Sequence, residues 1–521
     1  MITRNPSEFS DFTDCGHANV DYSLLNDVDS YKDSHPDVYP PGLTAMQSYV
    51  EDRAGAKFPA SLVFGLQYTL KRRLAGRVIS RSDIEEEAER MAWHGEPFPR
   101  ERWLHVVKAH GGRLPIRIRA VPEGSLVPVG NALRTIEATC PACAWLPSNI
   151  ETNTLRDWAP RAVATQGFFI KTMIAEGLAK SSDDPEAALP YALHDFGSRG
   201  VTCPEQAGLC GMAHLVNFRG TDTKIALRYA ETFYGAGQNF AHSVPALEHS
   251  NIMSWTDSRA SLAEKLAAQE ACFASAMRQW AQRGHALASY IADTFDVRHT
   301  ITQQFCGSLL PLIKDLHGSC GLRVVVRLDS GNPISEMVVR ALNDFKAALG
   351  VTGGPKTGFY QNKKGYLVLP DFFRILQGDG VSIETVGDID RAVMAAGYST
   401  ECISTRGMGG KNLHSGVNRD TQRTAQKPSI ACVNRVWHDV AKNPVDDPGK
   451  RSKGGWLDLI KNDRGEFETV NVEPGTSHPR SELVTVFEDG TVTAEWTLDE
   501  VRARAEAAFR ASRPYYPFAG L

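Results

Sequence analysis

The sequence predicts an α/β fold, a β/α barrel accompanied by an α+β domain assembled from the two ends of the chain. Three observations lead there. Between about 161 and 428, short apolar runs end in polar clusters, each run separated from the next by enough chain for a helix. Residues 1–160 and 429–521 have a different texture, with charged helices and alternating strands before the barrel and short strands after it. The stretch Gly321 to Gly350 displays one complete repeat unit of the barrel.

In that unit Leu322 to Val326 is a Val-rich run of strand length, suited to a strand buried on both faces. It ends in the polar cluster Arg327-Leu328-Asp329-Ser330-Gly331-Asn332-Pro333. Val338, Leu342, Phe345 and Leu349 then recur at three- and four-residue spacing, with Pro333 near the start of this helix and Gly350 as its stop. Residues at the C-terminal end of a barrel strand face the active site. Arg327 and Asp329, two apart, share one side of an extended chain there. Such a pair can bind an anionic ligand that carries hydroxyls, or form a loop salt bridge.

The 521 residues are 42% hydrophobic and 23% charged, with a net charge of −4. That balance gives no reason to expect a nucleic-acid or acidic-membrane partner. No apolar run reaches membrane-spanning length, and the first residues lack the apolar segment of an export signal, so a cytoplasmic protein is expected. The ten cysteines are scattered, as in a reduced compartment. Cys140-Pro-Ala-Cys143 has no second pair at zinc-site spacing and reads as two thiols on a loop; no HExxH motif is present.

Residues 1 to about 28 read as a loosely held polar arm, followed by the donor-rich Asp29 to His35. Val63 to Tyr68 begins an apolar helical stretch, 82–110 read as charged helices, and Leu114 to Ala138 as strands with tight turns. The barrel tips follow: Ala192–Gly200, Val216–Thr223, Ser243–Ser250, Ser289–Asp296, the tip after Val326, Arg374–Gly380 and Cys402–Gly410. After about 428 come a basic loop, strands near Trp456, Phe467 and Val484, and a last helix from Leu498 to Ala511.

Several tips carry usable chemistry. Gly407, Gly409 and Gly410 follow a late strand, where backbone amides can hold a phosphate, with Lys411 and Arg419 to add charge. Gln377-Gly378-Asp379-Gly380 sets a carboxylate among small residues, as a sugar or a tight turn requires. Phe196 can stack on a flat ring or pack in the core, and Asp222 can accept a hydrogen bond from such a ring. His249 can shuttle phosphate or sit as a satisfied core histidine.

In order and spacing, DSYKDSH, FGLQY, HDFGSRG, NFRGTDT, SVPALEHS, RLDSGNP, QGDG and DPGKRSKGG resemble the nicotinamide phosphoribosyltransferase family, from about Asp29 to the C-terminus. The resemblance implies a type II phosphoribosyltransferase fold, in which the barrel is irregular. It also implies a homodimer with active sites at the subunit interface, and the joining of nicotinamide to phosphoribosyl pyrophosphate with Mg²⁺. Residue by residue, it implies that Phe196 and the Tyr31 of a second copy sandwich the pyridine ring. Asp222 would accept the carboxamide N–H and Arg327 would donate to its oxygen. Asp329, Gly378 and Asp379 would hold the ribose hydroxyls; Gly409, Gly410 and Arg199 the 5′-phosphate side. Arg53, Arg419, Lys427 and Lys32 would neutralise pyrophosphate, with Ser289 and Asp293 at a further tip beside the substrates. The histidine matching His249 is the family's phospho-acceptor, which couples optional ATP hydrolysis to synthesis. Mg²⁺ would be held mainly by substrate oxygens and water.

The sequence departs from the family pattern at Ser198, where an aromatic is usual, at a Gly-rich loop one residue longer with Lys411, and over Gln304 to Leu316. Two other readings share the fold. A nicotinate phosphoribosyltransferase is disfavoured by Asp222, whose carboxylate would repel a carboxylate substrate. A non-catalytic phosphosugar-binding barrel is disfavoured by the joint presence of Asp222, His249, Arg327, Asp329 and Asp379.

Overall fold

The computed structural model describes residues 23–332, 334, 337–446 and 451–512. The arm before Ser23, Pro333, and the Asp447 to Lys450 part of the basic loop lie outside the described residues.

One layer is a seven-stranded antiparallel sheet, in the order Val436–Asp439, Ala425–Val433, Leu43–Glu51, Ala132–Ala138, Ile116–Ala120, Val484–Glu488, Thr491–Val492. The three inner strands come from the N-terminal part and the flanking strands from the C-terminal part. Ile116, Ile118 and Ala120 are buried, while Arg117 and Arg119 between them are less so, the period of a strand with one face on a core. Arg117 lies opposite Glu137 on one neighbour and Glu488 on the other, and pairs with both, at 3.1 and 2.5 Å. The buried face packs Ile116, Ile118, Ile136 and Phe487 against Trp103 and Leu104 of the helix Arg100–His110.

The second layer is parallel: Gly220–Thr221, Leu193–Phe196, Ile403–Gly409, Phe373–Gln377, Arg323–Leu328, Leu287–Ile291. Val324, Val326 and Leu328 are fully buried, and the helix Val338–Leu349 covers them with buried Val338, Leu342 and Phe345. Gly350 ends this helix at φ 69°, a left-handed conformation that glycine adopts at no steric cost.

The tip expected at Ser243–Ser250 is not a regular strand. Pro245 has no N–H to extend a ladder, so the segment makes only isolated bridges. His242 pairs with Gly220 at one edge of the sheet and Ala246 with Ser289 at the other. Thr221 N–H donates to His242 O at 3.0 Å, and Ser289 N–H to Pro245 O at 2.8 Å. This staple joins the two edges and closes an irregular barrel.

The Gln304 to Leu316 stretch belongs to the crossover between the last two strands. It runs through wide π-type turns over Thr300–Ser308, breaks at Gly307 (φ −112°, ψ −106°) and continues as Leu310–Cys320. Phe305 stacks on Phe273 at 5.1 Å and Gln304 bonds Gln269 at 2.9 Å, so its role is packing.

The helix Trp158–Ser181 is buried along most of its length and ties the layers together. Its Arg161 pairs with Asp52 at 3.1 Å and Asp157 at 2.8 Å, all but fully buried.

Candidate active site

Strand alternation decides which tip residues meet. In Leu193–Phe196, His194 and Phe196 point to one side and Asp195 to the other. A cavity of about 370 Å³ is lined by His194, Phe196, Asp222, Ser243, Ser289 and Arg327, with Val325, Leu376, Ser404 and Thr405 below them. Asp195 faces away, into the barrel wall. Its carboxylate meets His414 at 3.1 Å and accepts from Gly197 N–H at 2.7 Å. Burial opposes its ionisation, but His414, His214 and the Gly197 amide outweigh that and hold it well below the usual carboxylate range. His214 behind it is pushed down to about 4 by burial, and its ring N–H reaches Gly220 O at 2.9 Å.

On the cavity side, Asp222 Oδ1 accepts from His194 Nε2 at 2.9 Å and from the Ser243 hydroxyl. Burial raises its pKa; the His194 and Ser243 hydrogen bonds and the charges of His194 and Arg327 more than offset this, leaving it lowered. The Arg327 guanidinium stands 5.1 Å from the Phe196 ring centre, a cation on an aromatic face. Its Nη2 bonds Asp329 Oδ2 at 2.9 Å, and Asp329 N–H donates to Asp293 Oδ2 at 3.0 Å. Arg327 Nε, Ser289 Oγ, Thr405 Oγ1 and Asp293 Oδ1 are buried with no partner among the described residues. Arg327, Ser289 and Thr405 line the cavity, Asp293 does not, and polar groups left so in a cavity wall are suited to a bound ligand.

Two glycines make this packing possible. A Cβ on Gly378 would sit 2.5 Å from Asp329 Oδ1 and 3.2 Å from Arg327 Nε, and one on Gly407 would sit 2.4 Å from the Phe196 ring. Asp379 beside Gly378 is exposed. Gly410 touches Gly200, where a Cβ would come 2.5 Å from the Gly200 Cα. The short helix Gly410–Leu413, preceded by Gly409, therefore packs on the turn Gly197–Gly200 that carries exposed Arg199 and Ser198. His249 opens the helix His249–Met253, and its Nδ1 meets Thr294 Oγ1 at 3.0 Å.

A second group of the sequence-predicted residues lies on the antiparallel layer and does not line the cavity within one chain. Tyr31 is 54% exposed on the turn Ser30–Asp33, its ring meeting His35 edge-on at 5.1 Å and the Lys32 ammonium at 5.7 Å. Lys32 is buried and tied to Glu151 at 2.6 Å, so its charge is already partnered. Arg53 approaches Glu51 at 3.5 Å, yet its Nε and Nη2 are buried without a hydrogen bond among the described residues. Lys427 has its pKa lowered by burial, with Glu151 opposing and Arg53, Lys32 and Lys442 adding to the shift. Arg419 is exposed, 3.7 Å from Asp420.

His194, Ser243, Thr405 and Glu151 were not singled out from sequence. His194 was readable, lying two residues before Phe196 and so on its side of the strand. Ser243 and Glu151 were not, because their partners lie 21 and 119 residues away.

Two family models match the chain: the N-terminal domain of nicotinamide phosphoribosyltransferase over residues 23–118 and the nicotinate phosphoribosyltransferase family over residues 191–491. A nicotinamide phosphoribosyltransferase of Xanthomonas campestris pv. campestris is 40% identical over 491 residues, covering 93% of this chain and 98% of that protein. One from Acinetobacter baylyi is 27% identical over 408 residues, covering 77% and 78%. Among solved structures, a nicotinate-nucleotide pyrophosphorylase from Pyrococcus furiosus superposes with a TM-score of 0.57 at 14% identity, over 96% of this chain and 99% of that one. Human nicotinic acid phosphoribosyltransferase does so with 0.53 at 15% identity, over 92% and 93%. These two likenesses bear on the fold.

Proposed function

The chain belongs to the nicotinamide phosphoribosyltransferase family, and from that premise we propose that it joins nicotinamide to phosphoribosyl pyrophosphate, giving nicotinamide mononucleotide and pyrophosphate in NAD salvage. The observation that carries the choice of base is Asp222, an ionised carboxylate in the wall of the cavity, held by His194 and Ser243. An ionised Asp accepts hydrogen bonds only; it suits a carboxamide N–H₂ and repels a carboxylate. The discriminating assay offers nicotinamide or nicotinate to the purified protein with phosphoribosyl pyrophosphate and Mg²⁺, and measures mononucleotide. Preference for nicotinate would overturn the reading.

In this reading the pyridine ring lies on Phe196, its amide between Asp222 and Arg327. The pyridine nitrogen brings its own lone pair, so no general base is needed. As pyrophosphate leaves, positive charge develops at the anomeric carbon, and the site's work is positioning and charge stabilisation. Asp329, fixed by Arg327 and Asp293, would hold ribose hydroxyls together with Asp379, and Gly378 allows the backbone to approach. Mg²⁺, when bound, neutralises pyrophosphate. The donor set fits an ion held mostly by substrate and water: Asp329 is engaged by Arg327, which leaves Asp293, with its unpartnered Oδ1, to meet the hydrated ion. Gly378→Ala is expected to lower kcat/KM about a hundredfold by displacing Asp329 and Arg327, with little change in Tm. Kinetics and a thermal melt on the same preparation check this.

The exposed Tyr31 and the unsatisfied Arg53 support a homodimer in which each antiparallel layer completes the other chain's barrel site. Among the described residues no helix is long and apolar enough to cross a membrane, and a cytoplasmic location accords with the reduced cysteines the sequence suggests.

His249 is the proposed acceptor of phosphate from ATP. Thr294 occupies its Nδ1 side, which leaves Nε2 for the phosphoryl group. His249→Ala is expected to abolish ATPase activity and ATP stimulation while slower ATP-independent synthesis persists. Full stimulation by ATP in that variant would sink the role.

A further inference from the structure

The pair Cys140 and Cys143, expected from sequence to be simple loop thiols, does not stand alone. The antiparallel layer brings it against His105 and His110 of the helix Arg100–His110, and the four potential ligand atoms lie within 4.8 Å of one another. Cys140 Sγ is 3.6 Å from His105 Nε2, and the two imidazole rings are 5.7 Å apart. His110 Nε2 is buried with no hydrogen-bond partner among the described residues, although imidazole nitrogens so placed normally have one. No other group of three or more His, Cys, Asp or Glu among the described residues converges in this way.

Local structure shows why these atoms meet. Cys140 precedes the turn Pro141–Cys143, and Cys143 N–H bonds Cys140 O at 2.9 Å. The turn follows directly on the strand Ala132–Ala138, and Trp145 just beyond it meets Trp103 edge-on at 4.8 Å. That contact presses the turn onto the helix two residues before His105. Gly111, at φ 62°, ends the helix immediately after His110. The sequence spacings, His-x₄-His and Cys-x₂-Cys, both fall within the ranges of tetrahedral zinc sites.

We propose that His105, His110, Cys140 and Cys143 form a structural Zn²⁺ site. Two sulfurs and two imidazoles are the ligand set that selects Zn²⁺ over harder divalent ions, and four protein ligands leave no position open for catalysis. On binding, the two thiols give up two protons to solvent and the imidazoles coordinate as neutral ligands, so the site itself is electrically neutral. Tetrahedral bonds of about 2.0–2.3 Å require the four atoms to close in slightly from their present spread, which side-chain rotation of Cys140 and His110 can supply.

The site would act as a clasp. Arg102, on the same helix, donates to Pro36 O at 2.8 Å, and Ala142 and Trp145 line a groove with Pro36 and Tyr39. The metal would thus brace the platform on which the segment bearing Tyr31 rests. This assignment is independent of the proposed reaction.

The test uses the full chain purified under reducing conditions from zinc-supplemented cells. Elemental analysis is expected to find about one zinc per chain, and X-ray absorption at the zinc edge a shell of two sulfurs and two nitrogens. Replacing zinc by Co²⁺ is expected to give the intense visible bands of a tetrahedral sulfur-ligated ion. His110→Ala and the double variant Cys140→Ser/Cys143→Ser are expected to lose both signals and to melt several degrees lower, with faster proteolysis near residues 29–42. Should the double variant not fold, His110→Ala and the wild-type absorption spectrum decide alone. No metal in the wild type, a Cys140–Cys143 disulfide in the reduced preparation, a shell without sulfur, or zinc retained by both variants would overturn the proposal.

Discussion

Asp222→Asn is expected to turn over nicotinate measurably while losing about tenfold in nicotinamide efficiency. Asp222 bonds His194 and Ser243 through a single oxygen, Oδ1, which Asn retains. The substitution therefore leaves the anchor and changes only the ligand-facing atom, from an acceptor to an N–H donor. In the wild type a carboxylate substrate meets a withheld donor and a like charge, in a cavity that the proposed second chain would shelter from water, a mismatch of several kcal/mol, on the order of thousandfold discrimination. Asn removes the repulsion, and the carboxamide of nicotinamide can turn its oxygen to the new donor. Asp222→Ala, which strips both His194 and Ser243 of their acceptor, is expected to lose nicotinamide efficiency more severely. Because the Asp222 pKa is lowered, the wild-type preference should persist from alkaline pH down through the usual carboxylate range and fade only below it. Efficiencies for both bases at saturating phosphoribosyl pyrophosphate, with melts to verify folding, decide the matter. An unchanged preference in Asp222→Asn would show that this carboxylate does not read the base.

Mixing two impaired proteins should restore activity at subsaturating nicotinamide. Tyr31→Ala removes the exposed ring that the proposed dimer would offer to a second chain, and Asp329→Ala removes the carboxylate that Arg327 and Asp293 hold in the barrel. In a hybrid dimer one site receives both lesions and the other neither. Random reassortment makes half of the dimers hybrids, so about one quarter of all sites recover. Each parent alone should show a raised KM for nicotinamide (Tyr31→Ala) or a collapsed kcat (Asp329→Ala). Hybrids shown by mass to form, yet with no regained activity, would mean that each site is built within one chain.

Sequence reading went furthest where the physics is local. Alternation in Ile116–Ala120, the three- and four-residue spacing of Val338, Leu342 and Phe345, and the stop at Gly350 each depend on neighbours a few residues away, and the structure shows all three. The polar ends of the barrel strands were visible for the same reason. What they touch was not. That Asp222 is held by His194 depends on two strands lying side by side, and that Lys32 is engaged depends on Glu151. The strand expected at Ser243–Ser250 failed because an apolar run beside a proline can satisfy its backbone with two isolated bridges as readily as with a ladder. The two histidines beside the thiol pair were not legible either, because they sit on a preceding helix, 30 and more residues upstream.

The order of strands in the antiparallel layer bears on how the chain can be made. Leu43–Glu51 pairs with Ala425–Val433, and Ile116–Ala120 with Val484–Glu488. As the chain leaves the ribosome, the first three strands emerge early with both outer edges open, and the barrel is completed before their partners exist. Unpaired edges of that kind invite pairing with other nascent chains. Arg117 and Arg119 alternate along one of those strands, and inward or flanking charges of this sort discourage such encounters until the end of the chain arrives. A release of the chain before Val484 would leave that edge permanently open, and aggregation of such truncated products, rather than a stable fragment, is the outcome to look for during synthesis.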